Sequence, residues 1–191
     1  MYGPPVDLSY KDISSLSGAL FKVPRTGIRP LKTNSENKYL SRSLRLNNNS
    51  ITEVSGLHYI VNHFLAEPLN LGWLDLSFNK ITCIDPMRLF TFSSLRELRV
   101  LYFHGNSIWN LSDVDKLGAL PLLHTITLHG NAIEKDKGYR YHVISALPQL
   151  KSMDFSAVTN EERVLAKVWQ RPRLPPVVQC EGSMGVTSIR T

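Results

Sequence analysis

The chain has 191 residues, 42% of them apolar and 20% charged, with a net charge of +6. That is enough apolar matter for one core, and no apolar run approaches the roughly 20 residues of a membrane helix, so neither a disordered chain nor a membrane contact is expected. The charge sits at the ends. Residues 1–38 carry six basic and three acidic side chains and residues 170–191 carry three and one, whereas 39–169 carry thirteen and twelve. A nearly neutral body is unlike a basic face built for nucleic acid, so no nucleic-acid partner is expected. Basic ends suit an acidic protein surface.

The start, Met1-Tyr2-Gly3-Pro4-Pro5, lacks the basic and apolar stretches of a secretory signal. Cys83 and Cys180 are distant and sit in no motif, which suits a reduced, cytoplasmic protein. Residues 1–38 contain Pro4-Pro5, Pro24-Arg25-Thr26-Gly27 and Arg29-Pro30-Leu31-Lys32, and the mildly apolar stretch from Ile13 to Phe21 has no firm period. The expectation is an extended N-terminal arm, part of it covering the first strand.

A repeat follows. Leu44-Arg45-Leu46-Asn47-Asn48-Asn49-Ser50-Ile51 opens the series, and segments beginning at Leu71, Leu98 and Leu123 continue it on the template L-x-x-L-x-L-x-x-N-x-I. The repeat asparagines are Asn49, Asn79, Asn106 and Asn131, spaced 30, 27 and 25 residues apart. Four copies in near register are a strong signal of a solenoid, because one repeat cannot bury its own apolar edge but a stack can. Around the fourth and sixth template positions the segment is a strand, so Leu44/Leu46, Leu74/Leu76, Leu101/Phe103 and Ile126/Leu128 point inward. Each asparagine follows its strand, where an amide that both donates and accepts satisfies turn backbone. The fold expected for residues 39–169 is α/β: a leucine-rich-repeat solenoid with a parallel concave β-sheet of about five strands and helical or irregular convex segments. Val54, Leu57, Val61, Phe64 and Leu65 have helical spacing. A short helix or helical turn is expected near Pro86.

The C-terminal cap is expected over 134–169. Residues 139–148 read as a helix ending at Pro148, with Tyr139, Val143, Ile144 and Leu147 on one face. Leu150, Met153 and Phe155 take the positions of a fifth strand, with Val158 where the asparagine would be. Thr159-Asn160-Glu161-Glu162 fits a helix-start capping box. The helix that follows carries Val164, Leu165, Val168 and Trp169, a stripe expected to close the core. Residues 170–191 read as a flexible polar tail.

The run from Tyr139 to Arg163 resembles the cap of a leucine-rich-repeat subclass that includes a regulator of type-1 protein phosphatase, a spliceosomal A-prime protein and several axonemal proteins. The arm motif from Pro24 to Lys32, the strands from Leu44 and Trp73, and the paired His-Gly-Asn turns resemble, over nearly the whole chain, the leucine-rich repeat-containing protein 51 family. That resemblance implies a cilium or flagellum as the place of action and no enzymatic activity.

The residues themselves suggest no catalytic site, cofactor or metal. Gly105 and Gly130 each precede a repeat asparagine and serve a turn rather than a phosphate. His104 and His129 hold the same repeat position and should be neighbours, but no third ligand joins them. The residues between the inward positions should face the concave side: Arg45, Trp73, Asp75, Tyr102, Thr127 and Asp154, with Phe78, His104 and His129 at the strand exits. Aromatics beside an arginine are typical interface anchors. Trp109 is expected to pack on the convex side. The favoured function is a protein-protein interaction module, a structural or adaptor component of the ciliary axoneme, with microtubule contact through the basic arm and tail. A type-1 phosphatase regulator and a nuclear ribonucleoprotein partner are the alternatives.

Overall fold

The computed structural model describes residues 4–84 and 95–169. The segment around Pro86 and the tail 170–191 lie outside the described residues, and so do the helical turn and the flexible tail expected there.

Alternating apolar residues build very short strands, named here β1 (Val6–Asp7), β2 (Ser43–Arg45), β3 (Trp73–Asp75), β4 (Val100–Tyr102), β5 (Thr125–Thr127), β6 (Ser152–Met153) and β7 (Ser156–Ala157). Among the described residues they form one sheet in chain order, parallel from β1 to β6 and antiparallel between β6 and β7. The register aligns Val6, Leu44, Leu74, Leu101, Ile126 and Met153 in a single row. All six are buried, and so are Leu8, Leu46, Leu76, Phe103 and Leu128 two residues on. These are the continuous apolar columns that period-2 alternation dictates.

The asparagines stitch the repeats together. The Asn79 amide donates to the carbonyls of Leu46, Leu76 and Ser77, and its oxygen accepts from the amide of Ile51 one repeat back. Asn106 and Asn131 repeat the arrangement with Leu76, Phe103 and Leu128 carbonyls and the Ile81 and Ile108 amides. Each side chain therefore bonds backbone groups of two successive turns, and the amide one repeat back has it as its acceptor.

Asn49 does the same toward the N-terminus. It donates to the Leu8 carbonyl and accepts from the amides of Lys11 and Ile13. The N-terminal segment is thus not an extended arm throughout: residues 6–13 form a zeroth repeat. Val6-Asp7-Leu8-Ser9-Tyr10 matches Leu74-Asp75-Leu76-Ser77-Phe78 residue for residue in kind. In both, the Asp carboxylate accepts from the amide and the hydroxyl of the following Ser (Asp7–Ser9 2.9 and 2.6 Å; Asp75–Ser77 3.0 and 2.6 Å). In both, the fifth residue is left-handed, with φ 55° at Tyr10 and 51° at Phe78. Helix α1 (Leu16–Ala19), capped by the Ser15 hydroxyl, then buries Leu16 and Ala19 beside Ile13.

On the convex side the helix expected from Val54 onward is α2 (Leu57–Phe64), which buries Leu57, Ile60, Val61 and Phe64. The next described repeat returns through a 3-10 stretch (Leu111–Ala119). Helix α3 (Tyr139–Ala146) buries Tyr139, Val143 and Ile144, and Leu147 follows it into the core.

Two expectations for the cap are corrected. Phe155 does not continue an inward strand. Asp154 and Phe155 adopt positive φ, 49° and 62°, and the chain reverses into β7, leaving Phe155 67% exposed. The stripe on α4 (Asn160–Trp169) does not close the core either: Val164, Leu165 and Val168 are exposed, Trp169 stays partly so, and Ala166 is the buried residue of the helix. α4 is held by polar contacts instead. Arg140 bonds both Glu162 oxygens and the carbonyls of Met153 and Ala157, and Arg163 donates to the carbonyls of Pro148 and Leu150. The expected capping box is present, with Thr159 and Glu162 bonded reciprocally at 2.8 and 3.1 Å. The Trp169 ring lies over Gly138, where a Cβ would be 2.2 Å from it. Trp109, expected to pack on the convex side, leaves two-thirds of its surface exposed.

Candidate protein-docking surface

The outward positions of successive strands stand side by side because the register is in step. Asp7, Arg45, Asp75, Tyr102 and Thr127 form one row across the concave face. Arg45 lies 3.8 Å from Asp7 and 3.9 Å from Asp75, with its guanidinium 5.4 Å from the centre of the Trp73 ring. Asp75 and Thr127 belong to this row but are buried. They position neighbours rather than meet a partner: Asp75 holds Ser77 and faces Arg45, and the Thr127 hydroxyl bonds His104 Nδ1 at 2.7 Å.

From Trp73 a band of rings crosses the face. Trp73 meets Tyr102 edge-on with centroids 5.6 Å apart, and Tyr102 meets Phe155 at 5.8 Å. Phe155 also lies 5.8 Å from His104 and 5.6 Å from His129, and the two imidazoles stack at 4.7 Å, only 8° from parallel. Phe78 closes the band against His104 at 5.0 Å. Edge-on and offset contacts at these distances are the favourable ring geometries. Phe78 is 52% exposed, and its ring covers Gly105, where a Cβ would come within 2.6 Å. Gly105 therefore answers both a positive φ of 67° and this close approach.

Asp154 is the anchor of the C-terminal half. Its carboxylate accepts from the amides of Leu128 and His129, lies 3.1 Å from His129 Nδ1, and accepts from the Tyr139 hydroxyl at 2.8 Å. An ionised carboxylate only accepts, so His129 donates from Nδ1. Burial, together with this neighbouring carboxylate, holds the Tyr139 hydroxyl far above its ordinary titration. Burial is the main reason that His104 titrates below the ordinary imidazole range. His129 beside it pushes the same way, against Asp75 and Asp154.

The surface thus gathers Arg45, Trp73, Phe78, Tyr102, His104, His129 and Asp154 into one patch, and adds Phe155, which alternation placed on the wrong side. The local sign of that error was the missing repeat asparagine after β6. The chain does not repeat beyond that point, so the period no longer assigns faces. No helix among the described residues is long and apolar enough to cross a membrane, and none of their His, Cys, Asp and Glu side chains form a group of three or more able to hold a metal ion.

A leucine-rich-repeat family model matches residues 43–173. The chain is 46% identical to leucine-rich repeat-containing protein 51 of Rattus norvegicus over 173 residues, which covers 91% of this chain and 88% of that protein, and 44% identical to the Homo sapiens protein over the same span. The chain belongs to the leucine-rich repeat-containing protein 51 family. It shares 29% identity with leucine-rich repeat and IQ domain-containing protein 3 of Homo sapiens, over 72% of this chain but only 20% of that protein. Among solved structures, the Drosophila melanogaster SNF/U2A' complex has a chain with TM-score 0.59 and 22% identity, covering 80% of this chain and 79% of that one. At that identity the likeness is one of fold. Family and solenoid together make this protein a leucine-rich-repeat protein-protein interaction module.

Proposed function

We propose that the concave face docks a protein partner on the ring band running from Trp73 through Tyr102 and Phe155 to His129, and that the place of action is the ciliary or flagellar axoneme. The observation that supports docking is the exposure of Phe155 and Phe78 on an open, preorganised face beside Arg45. Exposed aromatics backed by fixed neighbours are where interface energy concentrates. The axonemal setting rests on the family resemblance. Microtubule contact through the basic ends belongs to the same reading, and co-sedimentation with microtubules that persists after both ends are deleted refutes it.

The test is affinity capture from isolated axonemes with the full chain and with a Tyr102→Ala/Phe155→Ser variant. Axonemal proteins retained by the first and lost by the second support the reading. Equal retention by both sinks the docking surface, and capture of no axonemal protein, with the chain absent from cilia by immunofluorescence, sinks the setting.

A second reading is a nuclear ribonucleoprotein partner. Its support is the solved neighbour, a SNF/U2A' complex, and the same concave patch would serve it. The near-neutral body speaks for contact through protein rather than RNA. Capture from nuclear extract, again dependent on Tyr102 and Phe155, decides for it.

A further inference from the structure

The N-terminal end holds a second recess that the ring band does not use. Residues 25–32 form a strap pinned at both ends. At one end the Arg25 amide donates to the Asp7 carbonyl of β1 at 2.7 Å. At the other, residues 32–40 form a small hairpin: Leu40 donates to the Lys32 carbonyl at 2.8 Å, and the Asn34 side chain accepts from the amides of Glu36 and Lys38. Tyr39 ties that hairpin to α2, donating to the Phe64 carbonyl and accepting from Ala66. Between strap and sheet lies a groove of about 880 Å³, bounded by Pro4, Pro5, Asp7 and Arg45 on the sheet side and by the strap, with Leu31 and Tyr39 at its end.

The groove has a consistent chemistry. From Ile13 to Ser35 the chain carries Lys22, Arg25, Arg29 and Lys32 and no acidic residue. Arg25 and Arg29 line the groove and are exposed, and no carboxylate among the described residues pairs with either. The acid at the opposite wall, Asp7, is already engaged by Ser9 and Arg45. Four prolines, Pro4, Pro5, Pro24 and Pro30, stiffen the walls and reduce the entropy lost on binding. Ile28 stands fully exposed on the strap, between Arg25 and Arg29 in the chain.

We propose that this groove is a docking site for an acidic, extended peptide segment of a protein partner, its carboxylates meeting Arg25 and Arg29 and an apolar side chain meeting Ile28, Leu31 and the proline walls. This deepens the arm contact proposed above, and it depends neither on the cellular setting nor on the ring band. Guanidinium groups held apart on a pinned backbone suit carboxylate pairs.

The test uses the full chain and a fluorescently labelled glutamate-rich peptide containing one phenylalanine, followed by anisotropy at low and physiological salt. An oligouridylate of equal charge is the comparison, and three variants are measured: Arg25→Glu/Arg29→Glu, Ile28→Asp, and Phe155→Ser. The expected result is saturable peptide binding that weakens roughly tenfold or more in the double charge reversal, weakens on Ile28→Asp, weakens with salt, and is unchanged by Phe155→Ser. The reversed and apolar positions are exposed, so the thermal transition stays in place in all three variants. No peptide binding, binding that survives Arg25→Glu/Arg29→Glu, or equal binding of oligouridylate overturns the proposal. Binding lost on Phe155→Ser while Arg25→Glu/Arg29→Glu is silent moves the peptide to the ring band and overturns the groove without touching the docking surface.

Discussion

The two ends of this solenoid are closed by opposite means. At the N-terminus the chain continues the repeat backwards: β1 pairs in register, Asn49 reaches over to Leu8, Lys11 and Ile13, and Val6, Leu8, Ile13, Leu16 and Ala19 join the core. At the C-terminus the chain stops repeating, reverses through Asp154 and Phe155, and lays α4 outside the core on Arg140 and Arg163. An end cap must remove unpaired backbone and apolar surface from water. The first cap does both with the devices of the repeat. The second satisfies backbone with side chains and leaves an apolar stripe on α4 uncovered.

The sharpest way to break that comparison is to empty the core at two places. Leu101→Ala in the middle of the stack and Leu8→Ala in the N-terminal cap remove side chains that are both wholly buried, and each costs about 2–5 kcal/mol in urea unfolding. If Leu8→Ala leaves the transition unchanged, the zeroth repeat is not part of the cooperative core. Asn79→Ala comes next. It leaves the Ile51 amide without its acceptor, while the carbonyls of Leu46, Leu76 and Ser77 keep donors from Asn49, Asn106 and the Asn48 amide, and it costs about 1–3 kcal/mol by the same measurement, because a buried unsatisfied group bears its desolvation in full.

The polar closure of the C-terminus titrates. Bonding to Arg140, then to the Thr159 amide, holds Glu162 down from 4.5 to about 2. A depressed carboxyl stabilises the fold above its unfolded pKa and loses that contribution as pH falls through the folded one. The attachment of α4 therefore weakens between about pH 4.5 and 2. Glu162→Gln removes the dependence and costs about 1 kcal/mol at pH 7, read as faster amide exchange in α4 with the repeats unaffected. The smallest effect belongs to the uncovered stripe: Val168→Ser, on an exposed position, changes stability by less than about 0.5 kcal/mol. A larger loss on thermal unfolding means that the helix is packed more tightly than its exposure indicates.

The sequence by itself determined the middle of the protein. Strand positions, inward columns, the asparagine role, α2, α3 and the capping box at Thr159 all follow from local periods, since each repeat touches only its neighbours and the pattern states the contact. That Arg45, Trp73, Tyr102 and the neighbouring histidines share one face was legible for the same reason. The zeroth repeat was legible in principle, because Val6-Asp7-Leu8-Ser9 copies Leu74-Asp75-Leu76-Ser77. Lys11, standing where an asparagine would be, hid it, and Asn49 supplies the bond to the Leu8 carbonyl from the next repeat. Tertiary structure alone decided which side Phe155 takes, that Asp75 and Thr127 are buried beneath the ring band, that the stripe on α4 faces outward, and that the basic strap bounds a groove. Each depends on segments distant in sequence meeting where the chain departs from its period, and a period predicts a contact only while it lasts.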